Sequence, residues 1–130
     1  EVLVVDRTAA NAAAAAALAG AAGRVAEPRE VASAALVVQA TSVGSASVVT
    51  GYAGGWESIT RHLGADQLVV DVVYAPPVTE FLALAGAQGA RVRNGLGMLV
   101  HQAARQVALF TGETPPIDAM FEALGISRSA

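Results

Sequence analysis

"QLVVDVVYAPPVT", residues 67–79, decides how this chain is read. Its β-branched run predicts a strand over 67–74. Pro76 and Pro77 end that strand, because proline has no amide hydrogen to give to a ladder. Asp71 interrupts the apolar run. A carboxylate buried in a strand needs hydrogen-bond partners to offset its desolvation, and a neighbouring helix terminus or loop is the expected source. Tyr74, at the carboxyl end, brings a hydroxyl to the position where open α/β sheets hold ligands.

Working outward, the same alternation of β-branched runs and helical stretches recurs. Upstream, "LVVQA" at 36–40 is a continuous apolar run, the pattern of a strand buried on both faces. "EVLVVD" opens the chain as another strand, and 24–26 is a short one. Between them lies an alanine-rich helix, with Thr8 as its expected cap and Gly20 and Gly23 as its end. A short helix is expected near 29–34, a loop over 41–55, and one or two helical turns over 56–63. Downstream come a helix over 79–88, a strand over 90–93 and a long helix from Gly95 to about Thr111. Pro115 and Pro116 then open a last helix through Leu124, stopped by Gly125. This order predicts an α/β domain: an incomplete, Rossmann-like parallel sheet with helices on both faces.

At 130 residues the chain has the size of one domain and can bury a core. Its 54% hydrophobic and 15% charged composition argues against disorder. A net charge of -3 with scattered arginines gives no support for nucleic-acid binding. The longest nearly apolar run, 12–23, is too short to cross a bilayer, and it follows a strand rather than a basic leader. With no cysteine there is no disulfide frame, thiol nucleophile or thiolate metal site, which suits a cytoplasmic location. The chain begins without Met and directly in a strand, as a piece of a longer protein would.

Three further stretches carry chemistry. In a dinucleotide-binding half, the residues ending the second strand meet the adenine ribose, where an acid accepts from the 2′-hydroxyl and an arginine accommodates a 2′-phosphate. Asp6 and Arg7 in "VVDRT" fit that place, or else simply solvate a strand end. The glycine-rich phosphate turn expected about 20 residues before such an acid is not within these residues. "QATSVGS", 39–45, puts small polar residues right after a strand, as a cofactor wall or as ordinary turn residues. From "NGLGMLVHQAARQ", 94–106, into the residue that follows, Leu96, Leu99, Val100, Ala103 and Val107 form the core stripe of a helix. Met98 and Gln102, four apart, share another face. Gly95 and Gly97 would let a flat ring approach, Met98 would pad it, and Gln102 would offer an amide to a polyol. His101 reads as structural, and no pair of titratable groups is placed to shuttle a proton.

These residues resemble shikimate dehydrogenase. The family's Gly-Leu-Gly-Met turn into a helix with Gln-Ala is matched by "NGLGMLVHQA". Its Asp-x-x-Tyr-x-Pro-x-x-Thr motif is matched by Asp71, Tyr74, Pro76 and Thr79. Its Asn-Ala-Thr-Ser-x-Gly loop is matched by "QATSVG", with Gln39 in place of Asn, and its Asn-Arg-Thr motif by "DRT", with Asp6 in place of Asn. The resemblance implies the carboxyl-terminal, NADP-binding part of a two-domain enzyme that interconverts 3-dehydroshikimate and shikimate in aromatic amino-acid biosynthesis. Residues 1–130 would be a partial dinucleotide-binding domain with its first strand and glycine-rich turn missing. Asp6, Arg7, Thr8 and Asn11 would hold the adenosine 2′-phosphate region. Thr41 would belong to the cofactor wall, Val72 and Gly95 would approach the nicotinamide, Met98 would pack beside it, and Tyr74 and Gln102 would touch shikimate. The family's catalytic Lys and Asp belong to an amino-terminal domain, so no catalytic residue and no metal ligand is expected here. Two alternatives stand beside this reading: an NAD-preferring quinate or shikimate dehydrogenase relative, and a truncated, non-catalytic α/β module that binds a partner through exposed sheet edges.

Overall fold

The structure, a computed structural model, describes residues 1–45 and 55–128, so most of the loop expected over 41–55 lies outside the described residues. Strands β1 (Val2–Val4), β2 (Gly23–Val25), β3 (Leu36–Gln39), β4 (Leu68–Asp71) and β5 (Arg91–Arg93) alternate with helices α1 (Ala9–Leu18), α2 (Glu57–Thr60), α3 (Glu80–Ala87), α4 (Leu96–Thr111) and α5 (Ile117–Ala123). Every strand pair is parallel. The fold is therefore the α/β, Rossmann-like arrangement expected, with one correction: the strands form two sheets, β1-β2 and β3-β4-β5, instead of one. No ladder joins β1 to β3 among the described residues, because neither has an adjacent strand on that margin to share amides with.

The core lies where α3 covers the second sheet. Val69 on β4, Phe81, Leu82 and Ala85 on α3, and Trp56, Leu63, Val31 and Ala90 form one buried cluster, with Val5 and Val37 packed against it. The Trp56 and Phe81 rings meet at a centroid distance of 4.8 Å. Gln67, at the start of β4, is buried and donates from Nε2 to the carbonyls of Val31 and Ala34 at 2.8 and 2.6 Å, tying β4 to the 3-10 turn Pro28–Ser33. Arg24 on β2 bridges Glu1 at 2.6 Å and Glu30 at 2.7 Å. The Glu27 amide and then Arg24 hold the Glu30 carboxyl below its usual range.

Several elements differ from the sequence reading for local reasons. β4 stops at Asp71 rather than Tyr74, because the Asp71 carboxylate takes the Val73 amide at 2.9 Å and bends the chain out of the ladder before the prolines are reached. The Ala75–Pro76 bond is cis. β3 is not buried on both faces: Leu36 and Val38 are half exposed, since no described element covers them. Thr8 occupies the cap position of α1 but makes no side-chain cap bond; Asp6 Oδ1 instead accepts from the Thr8 amide at 2.7 Å. α1 ends at Leu18 with Gly20 just past the capping Ala19 at φ 57°, the helix-stopping place expected of it, whereas Gly23 opens β2 instead. At α4 the innermost residues are Val100 and Ala104, flanked by the partly buried Leu96, Leu99, Ala103 and Val107. Gly112 closes α4 at φ 74°, a left-handed conformation that favours glycine.

Candidate functional site

The site is built at the carboxyl ends of β3 and β4, where a parallel sheet leaves its strand-to-helix turns open to a ligand. A cleft of about 370 Å³ lies there, lined by Thr41, Ser42, Ser45, Val72, Val73, Tyr74 and Ala75. One wall is the turn after β3. Thr41 Oγ1 accepts from the Val43 amide at 3.2 Å, and the Ser45 amide reaches the Ser42 carbonyl at 3.2 Å. The other wall is the exit of β4.

Beneath the cleft lies a buried polar cluster. Asp71, fully buried, accepts from Gln39 Nε2 at 3.1 Å and from the Val73 amide at 2.9 Å through Oδ1, and from Thr79 Oγ1 at 2.6 Å through Oδ2. Thr79 in turn caps α3, its Oγ1 accepting from the Leu82 amide at 3.3 Å. The structural role expected for Asp71, bonding a helix terminus and a loop, is the one it has.

The amino end of α4 closes one side. A Cβ on Gly95 would lie 2.2 Å from the Val72 carbonyl oxygen, so only glycine lets this helix start against the exit of β4. The backbone approach expected of Gly95 is thus made by the protein's own chain, whereas Gly97 faces open space. Asn94 fastens the junction: Nδ2 donates to the Pro77 carbonyl at 3.1 Å and Oδ1 accepts from the Leu96 amide at 3.1 Å.

Of the residues singled out from sequence, Thr41, Val72 and Tyr74 come together in the cleft, and Gly95 joins them by backbone contact. Met98 and Gln102 lie exposed in the first turns of α4 and are not part of the lining. Asp6, Arg7 and Thr8 at the β1–α1 turn and Asn11 in the first turn of α1 are exposed, also outside it. His101 is exposed, with its ring edge-on to Phe121 at 5.5 Å, consistent with a structural part. Sequence reasoning placed Gln39 only in the candidate wall 39–45, without a partner, and gave Asn94 no role of its own. The signal for Gln39 was available in its place at a strand end, but its partner is 32 positions away. No group of residues fit to hold a metal occurs among the described residues, and no described helix is long and apolar enough to cross a membrane.

The Shikimate 5'-dehydrogenase C-terminal domain family matches residues 95–124, which begin at the Gly95 junction. A shikimate dehydrogenase (NADP(+)) of Citrifermentans bemidjiense is 41% identical over 102 residues, covering 78% of this chain and 33% of that protein. Thermus thermophilus shikimate 5-dehydrogenase, solved in complex with NADP(H) and shikimate, is 34% identical with a TM-score of 0.76 over 95% of this chain and 44% of its own. Quinate dehydrogenase of Corynebacterium glutamicum, solved in complex with NAD, is 33% identical with a TM-score of 0.73 over 94% and 45%. The chain spans less than half the length of these relatives. The matched family model, the 41% identity over 78% of the chain and the TM-score of 0.76 agree: in sequence and fold the chain matches the carboxyl-terminal region of shikimate dehydrogenases.

Proposed function

We propose that this chain provides the NADP-binding side, and part of the shikimate site, of an enzyme that interconverts 3-dehydroshikimate and shikimate. The observation that carries the reading is the cleft at the ends of β3 and β4, walled by Thr41 on one side and Val72 to Tyr74 on the other. It sits in a chain similar to an enzyme solved with NADP(H) and shikimate.

The residues fit the cofactor. The cleft has the volume of an ordinary small-molecule site, and its lining of small hydroxyls, valines and an aromatic ring suits a flat amide-bearing ring. At the β1–α1 turn, the Asp6 carboxylate is held by the Thr8 amide, and Arg7 is the group of that turn whose charge and planar fork suit a 2′-phosphate. Asp6, Arg7, Thr8 and Asn11 are assigned to the adenosine end, Thr41, Val72, Gly95 and Met98 to the nicotinamide side, and Tyr74 and Gln102 to the hydroxyls of shikimate. When bound, NADP supplies the hydride chemistry, and the protein's part is to orient it. Among the described lining residues Tyr74 is the one titratable group, so the acid and base for proton transfer are assigned to residues outside 1–130.

The test is cofactor choice in the natural protein that carries these residues. A unit-charge contact at 4 Å with an effective dielectric near 20 is worth about 4 kcal/mol before screening, and exposure of the turn reduces that to roughly 1 kcal/mol, or several-fold in kcat/KM. NADP is expected to be preferred over NAD by that modest margin. Asp6→Asn should widen it and Arg7→Ala should reverse it. A wild type preferring NAD, with a ratio that Arg7→Ala leaves unchanged, would overturn the assignment and favour the NAD-linked quinate alternative.

A further inference from the structure

Gln39 and Asp71 do not line the cleft; they lie under it, at 5% and 0% exposure. Parallel register sets them side by side at the ends of β3 and β4. Every hydrogen bond described for Gln39 ends on the cleft walls or on Asp71. Its Oε1 accepts from the Thr41 amide, while Nε2 donates to the Val43 carbonyl at 3.1 Å and to Asp71 Oδ1 at 3.1 Å. The first wall is therefore folded around the Gln39 amide. Asp71 holds the second wall by the Val73 amide, and ties it to the cap of α3 through the Thr79 hydroxyl. The bond between the two side chains links the walls through groups whose hydrogen-bonding capacity is otherwise spent. No buried side-chain nitrogen or oxygen among the described residues lacks a partner.

We propose that Gln39 and Asp71 are positioning residues that act as a clamp, setting the separation of the Thr41 and Val72–Tyr74 walls and hence the grip of the cleft on a nicotinamide dinucleotide, a role that rests on the dinucleotide reading above. Asp71 also anchors the Thr79 cap of α3, but the side-chain bonds of Gln39 and the Asp71 bond to the Val73 amide end on each other and on the two loops that wall the cleft. The clamp acts on where the ring is held, not on the reacting atoms. Loss of the Gln39 amide should therefore weaken cofactor binding while leaving turnover at saturation nearly unchanged. The geometry asks for a neutral amide at 39 and for acceptors at 71, not for a charge at 71. In Asp71→Asn, Oδ1 still accepts from Gln39 and Val73, and the new amide can donate to Thr79.

The experiment uses the natural protein that carries these residues, with NADPH as the probe, in wild type, Gln39→Leu and Asp71→Asn. NADPH affinity is measured by fluorescence titration, kcat and KM with NADP and shikimate, and amide exchange by mass spectrometry. Gln39→Leu is expected to speed exchange over 41–45 and at Val73 by about tenfold, the equivalent of one lost buried hydrogen bond. NADPH affinity should fall by about the same factor, with kcat within about twofold. Asp71→Asn should bind NADPH within about threefold of wild type. An NADPH affinity that Gln39→Leu leaves unchanged overturns the clamp, as does exchange that accelerates equally through α3 and α5. A wild type that binds no NADPH sinks the dehydrogenase reading instead, and the exchange pattern then decides the clamp by itself: acceleration confined to the two walls upholds it, and any other pattern overturns it.

Discussion

Gly95→Val is expected to destabilise the protein by about 3 kcal/mol or more, at the upper end of what overpacking costs. The obstacle is backbone. A Cβ at residue 95 meets the Val72 carbonyl oxygen at 2.2 Å and its carbon at 2.7 Å, and neither can rotate away. Relief requires the first turn of α4 to lift from the exit of β4, which also breaks the bond from the Gly95 amide to the Val73 carbonyl at 3.3 Å. Gly97, two residues on, has nothing within 4 Å of its would-be Cβ. Gly97→Ala should therefore gain up to about 1 kcal/mol from helix propensity alone. Urea denaturation of the two variants checks the contrast, and a Gly95→Val protein as stable as wild type would mean that the helix does not start against β4.

Asp71→Ala is expected to cost about 3 to 5 kcal/mol, because the Val73 amide and one Gln39 N–H are left buried without an acceptor. Asp71→Asn keeps an acceptor for both and should cost about 1 kcal/mol. Thermal and urea unfolding separate the two. Equal, small losses in both variants would show that the carboxylate's bonds are replaced by water.

What the sequence made legible was local. Gly125 after α5 acts on its own neighbours through chain conformation and stands where its residue type places it, and the helix expected from Thr79 starts there, with Thr79 as its cap. Asp71 could be recognised as needing partners because an apolar strand surrounds it. Which partners it takes was not legible, since Gln39 is brought to it by strand register across 32 positions. The end of β4 was misplaced for a related reason. Hydropathy reads straight through Val72 and Val73, while the ladder is ended by a hydrogen bond from Val73 back to Asp71. The exposure of Leu36 and Val38 was missed because an apolar run carries no mark of whether a neighbour covers it. In the cleft, the turn with Thr41 and the strand end at Tyr74 were singled out by the rule that ligands gather at strand ends, Val72 came only with the family resemblance, and the contact of Gly95 with Val72 carries no local mark in the sequence.

The unshared margins of β1 and β3 bear on how these residues behave in a test tube. One margin of β3 is paired with β4, and the other, unpaired among the described residues, offers backbone amides and carbonyls beside the half-exposed, uncharged Leu36 and Val38. β1 is similar, with Val2 47% exposed. Open strand margins of this kind template pairing between molecules, and natural proteins guard against it with inward-pointing charge or proline. Residues 1–130 produced by themselves are therefore prone to turbidity and fibrillar aggregates on concentration, a colloidal weakness separate from folding stability. A Val38→Lys substitution should suppress light scattering by placing charge on that margin; scattering that persists unchanged would locate the sticky surface elsewhere.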